Sequence, residues 1–223
     1  MPTPPSTTPR GDADTVVRIL DGAMRVAARK GIRKMSMSDI SESAGVSRGT
    51  VYRYFPSKDH VLGSLTNHAL HRWEQHMRAA VAARPRAADR LRVVMDSIVG
   101  YGEACPEALE IIRLDQDLGL TFLHSCLPDT VRIMADLLEP VIDEAAVVRA
   151  RVITGPELAE LVYRIGLAAF LVPATRTKQL PRRVAAVWDF LNGAALSVHG
   201  ADEETGESQA EITQFTGGSR RLA

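Results

Sequence analysis

The stretch from Ser36 to Lys58, SMSDISESAGVSRGTVYRYFPSK, constrains this chain more than any other. Ser36 and Asp39 have the spacing of a capping box, in which the hydroxyl accepts from the third backbone N–H and the carboxylate reaches back. A short helix is predicted from there to about Ala44. Gly45 supplies the positive φ of a tight turn between helices, and apolar Val46 plugs the angle between them. Ser47 caps a second helix. At about 100° per residue, Arg48, Gly49, Tyr52 and Arg53 share one arc of it, while Val51 and Phe55 share another. Pro56 stops this helix, Ser57 caps the next, and Lys58 stands in a first turn where a phosphate is drawn.

That pattern is a helix-turn-helix whose second helix suits a DNA major groove. A guanidinium bonds a guanine edge in bidentate fashion, a glycine admits close backbone approach, and a tyrosine hydroxyl holds a phosphate. The run from Ile40 to Lys58, ISESAGVSRGTVYRYFPSK, closely resembles the DNA-binding signature of the TetR family of bacterial transcriptional regulators. The resemblance covers about the first third of the chain. It implies an all-helical dimer with an amino-terminal three-helix DNA-binding domain and a divergent carboxy-terminal ligand domain. Carried over position by position, it implies base contacts from Arg48, Gly49 and Thr50. Phosphate contacts fall to Tyr52, Tyr54, Lys58 and the serines Ser36 and Ser38. Arg48 stands where lysine is frequent, and Arg53, on the same polar arc, where histidine or an aromatic is common.

The charge distribution agrees with this placement. Residues 1–80 carry 12 Lys and Arg against 7 Asp and Glu, and residues 81–223 carry 15 against 20, so a net +5 and a net −5 underlie a formal charge of zero. The basic part is the part that holds the motif. With 223 residues and 45% hydrophobic content, the chain can bury a sizeable core. It has two cysteines, Cys105 and Cys126, and no CxxC, so neither a disulfide framework nor a zinc knuckle is indicated. The longest apolar run, residues 165–173, falls short of the ~20 residues of a membrane span, and no signal-peptide profile opens the chain; a soluble, cytoplasmic protein is expected.

Four segments are expected: a disordered arm over 1–11, the DNA-binding domain over 12–58, an effector-binding and dimerisation domain over 59–199, and a disordered tail over 200–223. A supporting first helix opens at Asp12 or Asp14 and ends at Gly31. A long connector runs from Lys58 to about Arg84, carrying His68, His71 and His76, which read as surface histidines because no third metal ligand joins them. Leu91 to Val99 give the apolar face of a helix closed by Gly102, and Pro106 opens another to Leu114. Residues 115–127 read as an interrupted region around Gly119 and Pro128, with a helix resuming at Asp129 and kinked at Pro140.

Two successive helices near the end carry heptad seams. Leu158, Leu161, Ile165, Ala168 and Val172 form one; Val184, Val187, Leu191, Ala194 and Val198 form the other. Each has a second apolar strip, through Val162 and through Trp188, so one strip can face its own domain while the other meets a second copy in a four-helix bundle. Dimer contacts are therefore expected from Leu158, Leu161, Ile165, Val184, Val187, Leu191 and Val198.

The leading reading is a dimeric repressor that binds a palindromic operator and releases it on binding a small molecule. Met95, Ile98, Tyr101, Arg113, Phe122, His124 and Met134 are candidates for that pocket, because they combine apolar faces with isolated polar groups. A redox or metal sensor acting through Cys105, Cys126 and His124 is the alternative. An enzyme with an appended helix-turn-helix is the weakest reading, since no nucleophile elbow, phosphate loop, zinc HExxH or dinucleotide motif occurs, and no cofactor is expected.

Overall fold

A computed structural model describes residues 10–172, 176–190 and 192, and all regular structure among them is helical. The first helix, α1 (Arg10–Lys30), buries a stripe containing Ile19, Ala23, Met24 and Ala27. Arg10 and Gly11, read from sequence as part of the arm, form its first turn; residues 1–9 and the tail over 200–223 lie outside the described residues. Gly31, at φ 80°, ends α1, and its amide donates to the Ala27 carbonyl at 2.9 Å.

Three helices follow, each opened by a serine whose hydroxyl accepts a backbone amide: α2 (Met37–Ala44), α3 (Arg48–Tyr54) and α4 (Lys58–Ala83). The 26 residues of α4 span about 39 Å. Beyond it come α5 (Arg90–Ala104), α6 (Pro106–Leu114), α7 (Gln116–Ile142), the short α8 (Ala146–Arg149) and α9 (Gly155–Leu171), with helix again over 180–190. No described helix is long and apolar enough to cross a membrane.

Two expectations are corrected. Gly102 does not close α5 but sits inside it, where a Cβ would come within 3.2 Å of the Phe170 ring. Residues 115–127 are not an interruption, because α7 runs continuously through Gly119, Pro128 and Pro140. Gly119 lets α6 approach, since a Cβ there would lie 3.1 Å from the Ile112 backbone. Packing overrides the local cost of these residues.

The core has two centres. One joins α1, α2 and α3 to the start of α4 and takes in Tyr101, Cys105 and Phe170 from the larger helical region. The other gathers α5, α7 and α9 around Met95, Met134 and Leu138. Trp73 of α4 and Leu167 of α9 pack against both, so no solvated linker separates the helix-turn-helix from the rest.

Candidate nucleic-acid interface and effector cavity

The turn between α2 and α3 is held from both sides. Gly45 adopts φ 64° and donates its amide to the carbonyls of Glu42 and Ser41. From α1, Arg18 Nη2 donates to the Ala44 and Gly45 carbonyls at 3.1 and 3.0 Å, and Arg25 Nη2 to the Ser43 carbonyl at 2.7 Å. These cations satisfy carbonyls at a helix C-terminus, where the dipole favours positive charge. At Gly22, α1 lies so close to α2 that a Cβ would fall 2.9 Å from both the Ala44 Cβ and its backbone nitrogen. None of Arg18, Gly22 and Arg25 was singled out by sequence; their signal is a tertiary contact across more than 15 positions.

The start of α2 is equally fixed. Ser36 and Asp39 form the capping box, and Lys30 Nζ lies 2.5 Å from Asp39 Oδ1. The Lys30 hydrogen bond, followed by those from Ser36, holds the Asp39 carboxyl down to about 2. Ser47 accepts the Thr50 amide at 3.0 Å, and their hydroxyls meet at 2.8 Å.

With Val51 and Phe55 buried, α3 presents Arg48, Gly49 and Tyr52 to solvent, Tyr52 at 51% exposure. Arg48 has no partner among the described residues. Thr50 is half-buried and tied to the cap, and Ser38 is half-buried in the first turn of α2. Tyr54 is turned further inward: its hydroxyl donates to Asp12 of α1 and accepts from Arg53 Nη2 at 2.8 Å. Arg53 also lies over the Tyr54 ring and 4.0 Å from Asp12. Lys58 donates to the Arg33 carbonyl at 2.9 Å, so it braces the α1–α2 loop at the rim of the same face.

The effector candidates divide. Ile98, Tyr101 and Phe122 line a cavity of about 80 Å³, where Cys126, Thr130 and Tyr163 also face. Burial pushes both phenols upward, Tyr163 to about 12, so each stays protonated at neutral pH. Met95 and Met134 are instead fully buried in the second core centre and do not line this cavity. Arg113 pairs with Glu110 at 2.8 Å and edges an open cleft beside Arg33 and Asp115. His124 is exposed on α7. A larger cavity of about 300 Å³ adjoins the first and shares Phe122 with it; its walls come from α1, α4, α6 and α7. Sequence reasoning placed only Phe122 there.

Cys105 and Cys126 are both buried and free, and burial pushes the Cys126 thiol up, away from the thiolate that reacts. No group of three metal-ligating side chains occurs among the described residues. Of the histidines on α4, His68 is not at the surface. Its Nε2 lies 2.8 Å from Asp21 Oδ1, Arg72 Nη1 lies 3.3 Å from the same oxygen, and the three tie α4 to α1.

The seam residues also divide. Leu161, Ile165 and Val187 are exposed by 49, 43 and 59%, and Phe190, one turn beyond Val187, by 73%. Leu158 is instead buried in the chain's own core, because the first turn of α9 presses on the end of α7: a Cβ at Gly155 would meet Ile142 at 2.8 Å. Val184 packs inward too, while Leu191 and Val198 lie outside the residues whose side chains are described.

Residues 19–65 match the family model described as bacterial regulatory proteins, tetR family. The chain is 38% identical over 93 residues to the HTH-type transcriptional regulator EthR of Mycolicibacterium smegmatis, which is 42% of each chain. It is 47% identical over 47 residues to the HTH-type transcriptional repressor KstR of the same organism, 21% of this chain and 23% of that one. With the fatty acid metabolism regulator protein of Bacillus subtilis it shares 30% over 79 residues, 35% of this chain and 41% of the relative. These matches thus span less than half the length of each relative. Among solved structures, the fatty acid degradation regulator FadR from Bacillus halodurans superposes with a TM-score of 0.57 at 16% identity, over 88% of this chain and 97% of that one. A TetR-family regulator from Pectobacterium atrosepticum gives 0.57 at 20%, over 82 and 95%. At these identities the likeness is one of fold.

Proposed function

Because the chain belongs to the TetR family of bacterial transcriptional regulators, we propose that it is a dimeric repressor that reads a palindromic operator with α3 and yields it to a small-molecule effector. The observation that carries this reading is the face of α3. A helix two turns long is capped by Ser47, seated on the core by Val51 and Phe55 and tied to α1 through Tyr54 and Asp12, yet leaves Arg48, Gly49 and Tyr52 open to solvent. Arg48 is the base reader, Gly49 permits close approach, and Tyr52 with Lys58 holds phosphates. Tyr54 and Arg53 serve by fixing α3 against α1 through Asp12. One such helix reads too few base pairs, so a second copy is needed about 34–36 Å away. The exposed apolar residues of α9 and of 180–190 supply the surface for it. No catalytic role is assigned to any residue.

Selection of duplexes from a randomised pool by the full chain, followed by titration of the winners, tests the reading. An inverted repeat with half-sites one helical turn apart is expected. Enrichment of a single unrepeated site, or of no sequence at all, would overturn it.

A further inference from the structure

The larger cavity lies where the helix-turn-helix meets the rest of the chain. Met24 and Ile32 form its wall on one side, Leu65 of α4 another, and Ile111, Leu118 and Phe122 close it from α6 and α7. We propose that this cavity and the smaller one form a single elongated site for an uncharged apolar ligand, whose far end rests directly on α1 of the DNA-binding domain. The proposal deepens the effector reading above and rests on it.

The lining sets the ligand's chemistry. No Asp, Glu, Lys, Arg or His lines either cavity. Of the three hydroxyls of the larger one, two are spent on their own helix, Thr121 on the Asp117 carbonyl and Ser125 on the Phe122 carbonyl, each at 2.8 Å, and Thr66 of α4 adds a single neutral hydroxyl. An ionised group there would lose its hydration with no countercharge and one neutral hydroxyl to replace it. An apolar void of ~150 Å³ already stays dry and takes up a benzene-sized molecule, and this one is about 300 Å³. Continuity comes from Ala69, Ala108, Ile112 and Phe122, which border both cavities. The inner end is the polar one, with the protonated phenols of Tyr101 and Tyr163 beside Thr130. A chain with one hydroxyl or carbonyl therefore lies with that group inward and its tail outward.

The tail reaches a sensitive point. Met24 lines the cavity, and its sulfur receives Arg72 Nη1 at 3.6 Å. Arg72 also holds Asp21, together with His68. An occupant pressing on Met24 thus touches the ties between α1 and α4 without any intermediary in the effector domain.

The test uses the full chain and straight-chain primary alcohols from hexanol to dodecanol, titrated by calorimetry without DNA. Affinity is expected to rise about fourfold per methylene until the chain spans both cavities, as burial of each methylene dictates. Decanoate should bind at least tenfold more weakly than decanol. Ala108→Leu, at the shared wall, and Thr121→Trp, at the exposed rim of the outer cavity, should each hold dodecanol to the affinity of hexanol. No binding by any alcohol, a plateau at hexanol in the wild type, parity of decanoate with decanol, or indifference to both substitutions would overturn the proposal. Operator titration with bound decanol is a separate measurement: binding without release would count against the effector reading and leave the site standing.

Discussion

Arg48 and Lys58 differ in what surrounds them, and their removal should differ accordingly. Arg48 has no partner among the described residues, so Arg48→Ala is expected to leave the fold intact and to cost roughly 1–3 kcal/mol on the preferred operator, flattening discrimination at one position per half-site. Lys58→Ala should weaken all duplexes alike and reduce the salt slope by about one per contact. Titrations across salt on matched and mismatched duplexes separate the two, and an equal, sequence-independent loss would remove Arg48 from direct readout. Asp39 adds a pH dependence. Its carboxyl is held near 2 in the folded chain against 3.8 ordinarily, so it stabilises α2 above about pH 4 and that contribution fades as pH falls toward 2. The gap in melting temperature between wild type and Asp39→Asn should accordingly be widest at neutral pH and narrow on acidification. A gap that widened in acid would mean the carboxylate is not the stabilising form. Capping at Ser36, Ser47 and Ser57 was legible in the sequence because it acts within three residues; the inward turn of Tyr54 was not, because its partner Asp12 lies 42 positions away.

At the scale of elements, α2 and α3 owe their relative angle to how closely α1 approaches them. Gly22→Ala places a Cβ against backbone and side chain of Ala44, with no flexible end to yield, and overpacking of this kind costs typically 1–3 kcal/mol. Thermal unfolding should show that loss, and operator affinity should fall with it at temperatures where the variant is still folded. An unchanged melting temperature would show that α1 and α2 shift apart freely. Helix α7 marks where sequence reasoning fails at this scale. Glycine and proline argue locally for interruption, and the helix forms because packing outweighs that cost: Gly119 seats Ile112, and Ile133, Met134, Leu137, Leu138 and Ile142 are buried beyond Pro128. The same argument from neighbours explains Gly102. Heptad spacing did locate the apolar strips on α9 and 180–190, but spacing alone does not say which strip the rest of the chain covers.

For the whole molecule, the outward strip is the surface that two copies would share. Leu161→Glu sets a carboxylate there that a separated chain keeps in water and an apolar interface does not, so dissociation is the expected outcome. Light scattering at micromolar concentration should give a dimer for the wild type and a folded species of half the mass for the variant, and a monomeric wild type would dispose of the claim. Sequence reached the cavities only in part, through Ile98, Tyr101 and Phe122, for a general reason: their linings are core-like side chains, and only the packing of six helices, α1, α4, α5, α6, α7 and α9, reveals where these fail to meet.

The prolines of α7 have one more consequence, and it concerns time. Pro128 brings no amide to the ladder, and the two halves it separates are unequally anchored: residues 130–142 bury Ile133, Met134, Leu137, Leu138 and Ile142, while residues 116–127 bury Gly119 and Cys126. Amides over 116–127 should therefore exchange with deuterated solvent well ahead of those over 130–142, as a separately opening unit. Uniform protection along the helix would contradict this. If the halves part as expected, the outer cavity's wall breathes while the core stays shut, and a guest can arrive and leave without the protein unfolding.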